Sequence, residues 1–235
     1  MPEEFEFRDL RGSTFWCVDL QGSTFRDVNL SNVSVAHAEL VAVTIDAYVE
    51  RLVVNGVDVT EYVHEHDEWY PLRAMIRAKD VAGMRAAWDE LERMWGMTIE
   101  RARALPADAR RRSVDGEWSF VDTLRHLVFA FDKWMTVPVL GGAFDPMGIP
   151  NSGSRGFGWP GLDFDADPTF DEVLAVRADR SARLRAFFEE VDPADLDRTV
   201  EVLENGPAPV RECVQVVFEE EFQHHRYAIR DLERL

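Results

Sequence analysis

The sequence predicts a mainly α protein in which a four-helix bundle follows a short β-solenoid. Three observations lead to this prediction: an apolar period of five over residues 5–45, a 3.6-residue apolar period from about residue 80, and capping residues before the later segments. We therefore divide the chain into a solenoid at 1–48, a hairpin and connector at 49–79, and a bundle at 80–235. At 46% hydrophobic residues, the chain can bury substantial cores.

The first of these patterns consists of nine apolar residues at an interval of five: Phe5, Leu10, Phe15, Leu20, Phe25, Leu30, Val35, Leu40 and Ile45. On an α-helix, five steps rotate a side chain by about 140°, which would scatter these residues around the axis. On a flat strand, an odd interval alternates between the two faces. A solenoid that turns a corner every five residues fits the pattern, because each face then sends one large side chain inward.

The residue two places before each apolar position is mostly small or β-branched, as in Ser13, Val18, Ser23, Val28 and Val33. Pairs such as Asp9-Leu10 and Asn29-Leu30 complete the motif. Over residues 5–46 the sequence resembles the pentapeptide-repeat family, and the resemblance implies a four-sided right-handed β-helix. Because nine repeats make little more than two coils, we expect a folded cap or oligomerisation module and no mimicry of DNA.

A hairpin and a polar connector follow the repeats. Asn55-Gly56 stands between β-branched runs and supplies the two positive-φ residues of a tight turn. His64 and His66 form a His-x-His pair that could bind metal, but their neighbours are charged. We favour a solvent-exposed helix or connector for this pair.

The bundle is predicted from four amphipathic segments, at about 81–105, 119–135, 170–190 and 211–235. Asp80 is placed to cap the first segment and Pro106 to end it, and Ser119 opens the second. Thr169 with Glu172 forms a capping box before the third.

A long segment at 136–168 separates the second and third predicted helices. It contains seven of the 14 glycines and five of the 11 prolines, together with large apolar residues such as Phe144, Ile149 and Trp159. Long loops with apolar residues are usually structured and functional. We expect this segment to fold across one end of the bundle and to line a pocket.

Composition excludes several classes of protein. With 26 basic and 44 acidic residues the net charge is −18, which disfavours nucleic acid as a partner. The longest apolar stretch, 127–144, is interrupted by charged residues and Pro138, and the acidic amino terminus is unlike a targeting signal. Cys17 and Cys213 lie too far apart to suggest a disulfide framework or a thiolate zinc site. We expect a cytoplasmic protein with no membrane partner.

The last helix carries the strongest sign of chemistry. Glu221 and His225 lie within about 20–30° of the centre of its apolar stripe, at a spacing that places one side chain over the other. A carboxylate on an apolar face must be paired or bound to a metal. Two interpretations stay open: both residues bind one ion, or they form a buried ion pair that Arg226 or Arg230 extends.

A third ligand would come from another helix, and His126 is the only suitable histidine. Its position lies about 150° from the centre of the apolar stripe of the second helix. It can face a neighbouring helix there, but periodicity alone gives no support for a ligand role.

Two motifs resemble those of the DinB family of four-helix-bundle metalloproteins. The first is DGEWSFVDTLRHLVF at residues 115–129, in which a histidine closes the family motif, and the second is EEFQHHR at residues 220–226. The resemblance extends over about 80–235. It implies a divalent-metal site in the bundle.

Carried over position by position, the resemblance makes His126, Glu221 and His225 the metal ligands. Glu221 stands where many family members have histidine. Because His224 and His225 are adjacent, Glu220 with His224 has the same spacing and forms an alternative register. The resemblance implies Zn²⁺ first, with Ni, Fe or Mn as alternatives.

The resemblance also implies an activity: a thiol S-transferase or isomerase that activates a low-molecular-weight thiol of the mycothiol or bacillithiol type for attack on an electrophile. The long loop and the region around Met97 would shape the pocket, and Arg226 or Arg230 would hold a carboxylate or form surface salt bridges. The alternatives are a metal-activated hydrolase and a non-catalytic, stress-associated scaffold that binds partners through its repeats. A homodimer is compatible with the family.

Overall fold

The computed structural model describes residues 3–5, 8–26, 28–151 and 156–235. The chain divides into two compact units, Met1–Asp46 and Ala47–Leu235. Each unit is described by itself.

The first unit changes direction at five-residue intervals. Positive φ angles recur at Gly12, Cys17, Gly22, Asn32, His37 and Ala42. Turn hydrogen bonds repeat every ten residues, with the amides of Ser13, Ser23 and Val33 donating to the carbonyls of Leu10, Leu20 and Leu30. The backbone corners therefore follow the five-residue period of the sequence.

The predicted pentapeptide-repeat β-helix is not confirmed. No strand is present at residues 3–5, 8–26 or 28–46. The nine apolar residues of the five-residue pattern are all exposed. Their exposed fraction is lowest for Leu10, at 44%, and highest for Val35, at 66%. Repeat folds bury their core by stacking one coil on the next. Nine repeats make little more than two coils, so a side chain that points inward has at most one neighbouring coil to pack against.

The second unit opens with the predicted hairpin. Strands β1 (Val53–Val54) and β2 (Val57–Asp58) pair antiparallel, with Val54 opposite Val57. Asn55 and Gly56 have φ angles of 51° and 82°, the left-handed conformation that this two-residue turn requires.

The segment predicted as a connector forms two short helices, α1 (Thr60–His66) and α2 (Tyr70–Met75). Leu72 of α2 and the following Ile76 are 6% and 1% exposed and belong to the bundle core. This segment is therefore part of the second unit and not a separate linker.

The four long helices are α3 (Val81–Arg103), α4 (Phe120–Phe131), α5 (Phe170–Glu190) and α6 (Val210–Leu232). The side chains of Asp80 and Ser119 accept hydrogen bonds from backbone amides in the first turns of α3 and α4. Thr169 and Glu172 form the predicted capping box of α5. The fold is mainly helical, as the sequence predicts.

Helix α4 continues into a π-helix at Asp132–Thr136. Asp132 is fully buried, and its carboxylate accepts two hydrogen bonds from Arg180 of α5, at 2.7 and 3.0 Å. It also accepts hydrogen bonds from the Thr136 hydroxyl and the Asp145 amide. This network ties the long segment 136–168, through Thr136 and Asp145, to α4 and α5.

A second hairpin, not predicted from the sequence, precedes α6. Strands β3 (Thr199–Glu201) and β4 (Pro207–Pro209) pair antiparallel with Val200 opposite Ala208, and these two residues face the core. Short 3₁₀ helices occupy Ala109–Arg111, Pro193–Asp197 and Leu203–Asn205.

Helix α4 is buried on nearly every side, because it packs against α5, α6 and the long segment 136–168. Its contact with α6 forms the α4–α6 seam, the line along which these two helices meet. Within the described part of the chain, no helix is long and apolar enough to cross a bilayer.

Candidate metal centre

Three side chains with metal-binding atoms meet at the α4–α6 seam: His126 from α4, and Glu220 and His224 from α6. The Oε2 atom of Glu220 is 3.3 Å from Nε2 of His126 and 3.2 Å from Nε2 of His224. All three ligand atoms lie within 4.8 Å of one another. The cluster is the one group of three such residues found among the residues that the structure describes.

Helix geometry explains the cluster. Glu220 and His224 are four residues apart, so their side chains lie on the same face of α6. The side chain of His126 is 2% exposed, whereas those of Glu220 and His224 are 30% and 14% exposed. The centre is therefore closed towards α4 and open to solvent on the α6 side.

The other ring nitrogen of His126 has a separate partner. Nδ1 lies 2.9 Å from the carbonyl oxygen of Ile149, which can only accept, so Nδ1 carries the proton. A neutral His126 then presents the lone pair of Nε2 to the carboxylate of Glu220. Two acceptor atoms at 3.3 Å repel each other unless a proton or a metal cation lies between them.

The carboxylate of Glu220 is held in its charged form. Burial by itself would raise its pKa, but hydrogen bonds from His126 and His224, and their positive charge when they are protonated, outweigh burial and hold that pKa well below its usual range. A charged carboxylate beside two imidazoles is the protonation state that metal binding requires.

Aromatic side chains surround the two imidazoles. The ring of Trp118 has its centroid 4.5 Å from that of His126 and 5.9 Å from that of His224, and Tyr227 is 5.8 Å from His224. Neither Trp118 nor Tyr227 was predicted from the sequence to be part of the site. Trp118 lies within the motif at 115–129, and its place eight residues before His126 is the signal that was available.

The first-choice ligands from the sequence, Glu221 and His225, lie elsewhere. Glu221 forms a bidentate ion pair with Arg177 of α5, at 2.8 and 3.0 Å. Nε2 of His225 is hydrogen-bonded to the hydroxyl of Thr98 on α3 at 2.8 Å, and burial lowers the pKa of this histidine. The structure does not bring Glu221 and His225 together with His126, but it does bring Glu220 and His224.

The physical reason is the difference between the centre and the edge of an apolar stripe. The centre of the α6 stripe faces α3 and α5, where Glu221 is neutralised by an arginine. The edge of the stripe faces α4, which carries His126. The carboxylate nearest the centre therefore lies in an ion pair, in line with the ion-pair interpretation, although its partner is Arg177 and neither Arg226 nor Arg230.

The remaining predicted residues take no part in the cluster. Met97 is 58% exposed on α3, beside Arg93. Arg226 lies over the rings of Trp69 and Phe222, and Arg230 pairs with Asp231 and Glu117.

The long segment covers α4 beside the centre. The rings of Phe144 and Trp159 pack on Phe129 with centroids 5.6 and 4.9 Å away. Ile149, also in this segment, supplies the carbonyl that contacts His126. The part of the segment at 152–155 lies outside the described residues.

Comparison with known proteins bears on the second unit. The family model described as the DinB superfamily matches residues 90–228, which is more than half of the chain and includes all three residues of the cluster. No curated protein and no solved structure matches the chain.

Proposed function

This chain belongs to the DinB superfamily, and on that premise we propose that it is a metal-dependent enzyme acting on a low-molecular-weight thiol. The proposed site is His126, Glu220 and His224, with Zn²⁺ as the first candidate. The proposed reaction is transfer or isomerisation through the sulfur of a mycothiol-type or bacillithiol-type compound. Its second substrate would be a small electrophile.

The observation that supports the metal is the fit of the three donor atoms. Zinc bonds to nitrogen and oxygen of about 2.0–2.1 Å place tetrahedral ligands about 3.3–3.4 Å apart. The Oε2 atom of Glu220 lies 3.3 Å from Nε2 of His126 and 3.2 Å from Nε2 of His224, close to this ligand–ligand distance. Two imidazoles and one carboxylate suit Zn²⁺, and they also accept Ni, Fe or Mn.

The charge of the site supports a thiol as substrate. Two neutral imidazoles and one carboxylate contribute a single negative charge, so a bound divalent ion would keep a net positive charge and would favour a thiolate over a thiol. The solvent-exposed side of Glu220 and His224 leaves room for the ligand to approach. Trp118 and Tyr227 flank this approach and would restrict the shape of the substrate.

Metal content tests the site directly. We expect purified wild-type protein, handled without chelators, to contain close to one equivalent of a transition metal by elemental analysis. His224→Ala should retain less than about 0.2 equivalents, because two remaining ligands bind weakly. His225→Ala is the matched control one residue away and should keep its metal. Metal loss in His225→Ala but not in His224→Ala would contradict the assignment.

A hydrolase is the second candidate, because water reaches the same exposed side of the cluster. Assays of the metal-loaded protein separate the two: conjugation of mycothiol, bacillithiol or glutathione to an electrophile, against hydrolysis of ester and amide substrates. Thiol-dependent turnover that is absent in His224→Ala would support the transferase. Turnover without added thiol would favour the hydrolase, and a metal-loaded protein without either activity would favour the scaffold.

A further inference from the structure

Residues 147–149 of the long segment are attached to α4 at two consecutive positions, one of which is a proposed metal ligand. Nε of Arg125 donates to the carbonyl of Met147 at 2.8 Å, and Nδ1 of His126 donates to the carbonyl of Ile149 at 2.9 Å. The amide of Ile149 returns a longer hydrogen bond of 3.4 Å to the carbonyl of Arg125. These contacts hold the segment along the helix.

The bond from His126 to Ile149 decides which ring nitrogen is free. As long as the Ile149 carbonyl is in place, Nδ1 keeps its proton, and Nε2, which faces Glu220 at 3.3 Å, is the nitrogen left to bind a metal. Partners of this kind fix the tautomer and ring orientation of metal-binding histidines. The fixing partner here is a backbone carbonyl 23 residues away in the sequence.

Two features keep Met147–Ile149 in position. Arg125 is 7% exposed, so its hydrogen bond to Met147 is shielded from water, and Asp122 balances its charge from 3.5 Å. Gly148 lies so close to α4 that a Cβ there would come within 3.2 Å of the Cβ of Phe129 and 3.3 Å of a methyl carbon of Leu162. A larger residue at 148 would push the segment away from the helix.

We propose that Arg125 is a positioning residue of the metal site, which acts by holding residues 147–149 so that the Ile149 carbonyl orients His126. Metal affinity is thereby coupled to the docking of the long segment. This inference rests on the proposed function, since it concerns the same ion and the same three ligands.

The test compares Co²⁺ and Zn²⁺ affinity in full-length variants, with Co²⁺ followed by its visible absorption and Zn²⁺ by competition. We expect Arg125→Gln to weaken binding by about 10–100-fold, the usual effect of losing a histidine-orienting partner, and Gly148→Ala to weaken it by a smaller factor, because its Cβ displaces the segment by only a few tenths of an ångström. Arg125→Lys can still donate to the Met147 carbonyl and should recover most of the affinity. The Co²⁺ spectrum of Arg125→Gln should also change in shape, because His126 is no longer held at one angle.

Arg73→Gln is the matched control, because Arg73 is a buried arginine of the same unit, 5% exposed and paired with Asp67. It should lower stability as Arg125→Gln does, yet change metal affinity by less than about threefold, since no ligand depends on it. Far-UV circular dichroism verifies that each variant is folded. If Arg125→Gln fails to fold, Gly148→Ala carries the test.

The outcomes are distinguishable. Wild-type affinity in both Arg125→Gln and Gly148→Ala, with binding abolished in His224→Ala, would overturn the positioning role and leave the metal site intact. Equal losses in Arg73→Gln and Arg125→Gln would also overturn it, because the effect would then be one of general stability. Absence of metal binding by the wild-type protein would overturn the proposed function together with this inference.

Discussion

Asp132 carries a carboxylate with no exposure to solvent, and four hydrogen bonds compensate for its burial. Two of these come from Arg180, which also pairs with the half-exposed Asp179 at 2.7 Å. Buried charges are tolerated when they are paired and fully hydrogen-bonded, and removal of one partner leaves the other charge uncompensated. The π-turn of α4 brings Asp132 and Thr136 into this network.

Replacement of Asp132 by asparagine should therefore destabilise the protein strongly. We expect Asp132→Asn to lower the free energy of unfolding by about 3 kcal/mol, because Arg180 loses its buried counter-charge. Asp179→Asn removes an exposed partner of the same arginine and should cost less than about 1 kcal/mol. Urea unfolding followed by circular dichroism gives both values, and equal costs would show that the buried network is not the source of stability.

The two cysteines differ in their surroundings and should differ in reactivity. Cys213 is fully buried in α6, and burial raises the pKa of its thiol to about 11, whereas Cys17 is exposed. At pH 8 a thiol-reactive disulfide should modify one cysteine per native chain and two per unfolded chain, because the thiolate is the nucleophile. Rapid modification of both cysteines in the native protein would contradict the burial of Cys213.

At the scale of elements, α6 carries two polar pairs that serve different neighbours. Glu220 and His224 face α4 and His126, whereas Glu221 is bound to Arg177 of α5. Arg177 also lies over the ring of Trp95, which adds to the enclosure of the ion pair. Adjacent carboxylates on one helix thus have separate roles, one at an open site and one in the core.

Two isosteric substitutions at adjacent positions should separate these roles. Glu221→Gln should lower the free energy of unfolding by about 3 kcal/mol, because Arg177, whose side chain is only 13% exposed, would lose its counter-charge, but it should keep the metal. Glu220→Gln should remove the metal, and in the metal-free protein it should cost less stability than Glu221→Gln, because the side chain of Glu220 is 30% exposed and that of Glu221 is 4% exposed.

Metal analysis and urea unfolding in the presence of a chelator measure both effects. Loss of metal in Glu221→Gln with retention in Glu220→Gln would instead support Glu221 as the ligand, the first choice from the sequence.

At the scale of the molecule, the buried apolar residues among those described all lie at position 72 or later, within the second unit. The apolar residues of the first unit remain exposed, as Phe15 and Trp16 are at 57% and 80%. The core of the helical unit therefore needs no residue of the first 46.

Deletion of residues 1–46 should leave the helical unit folded. We expect residues 47–235 to keep their helical circular dichroism and to melt within about 3 °C of the whole chain, a shift that corresponds to less than about 1 kcal/mol. Deletion of residues 1–78 is the control and should lower the midpoint markedly, because it removes the buried Leu72 and Ile76. Equal melting of the two truncated proteins would contradict the assignment of α2 to the core.

Metal loading should stabilise the whole protein by mass action. At a free Zn²⁺ concentration of about 100 times the dissociation constant, a ligand that binds the folded state alone adds about 2.7 kcal/mol. The melting temperature should rise on addition of Zn²⁺ and fall back with a chelator. His224→Ala should show neither change, and an equal rise in that variant would place the bound zinc elsewhere.

Much of the fold was predictable because its signals are local. Asp80, Ser119 and Thr169 cap the helices that follow them, and Asn55-Gly56 forms the expected turn, since each acts within a few residues of itself. The five-residue corners near the amino terminus are local as well, but the predicted β-helix also needs stacked coils. The hairpin of β3 and β4 was missed because a 3₁₀ turn at Leu203–Asn205 joins its strands in place of an Asn-Gly pair, and because β4 contains two prolines.

The sequence by itself determined the four long helices, the place of His126 on the second of them and the Glu-His spacing of α6, because periodicity, caps and i, i+4 spacing act within one or two turns. Only the tertiary structure shows that Glu220 and His224 lie beside His126 while Glu221 pairs with Arg177, because that arrangement depends on which neighbour each side of α6 meets. It also decided that the Ile149 carbonyl holds His126, since residues 23 positions apart come together only when the long segment packs on α4.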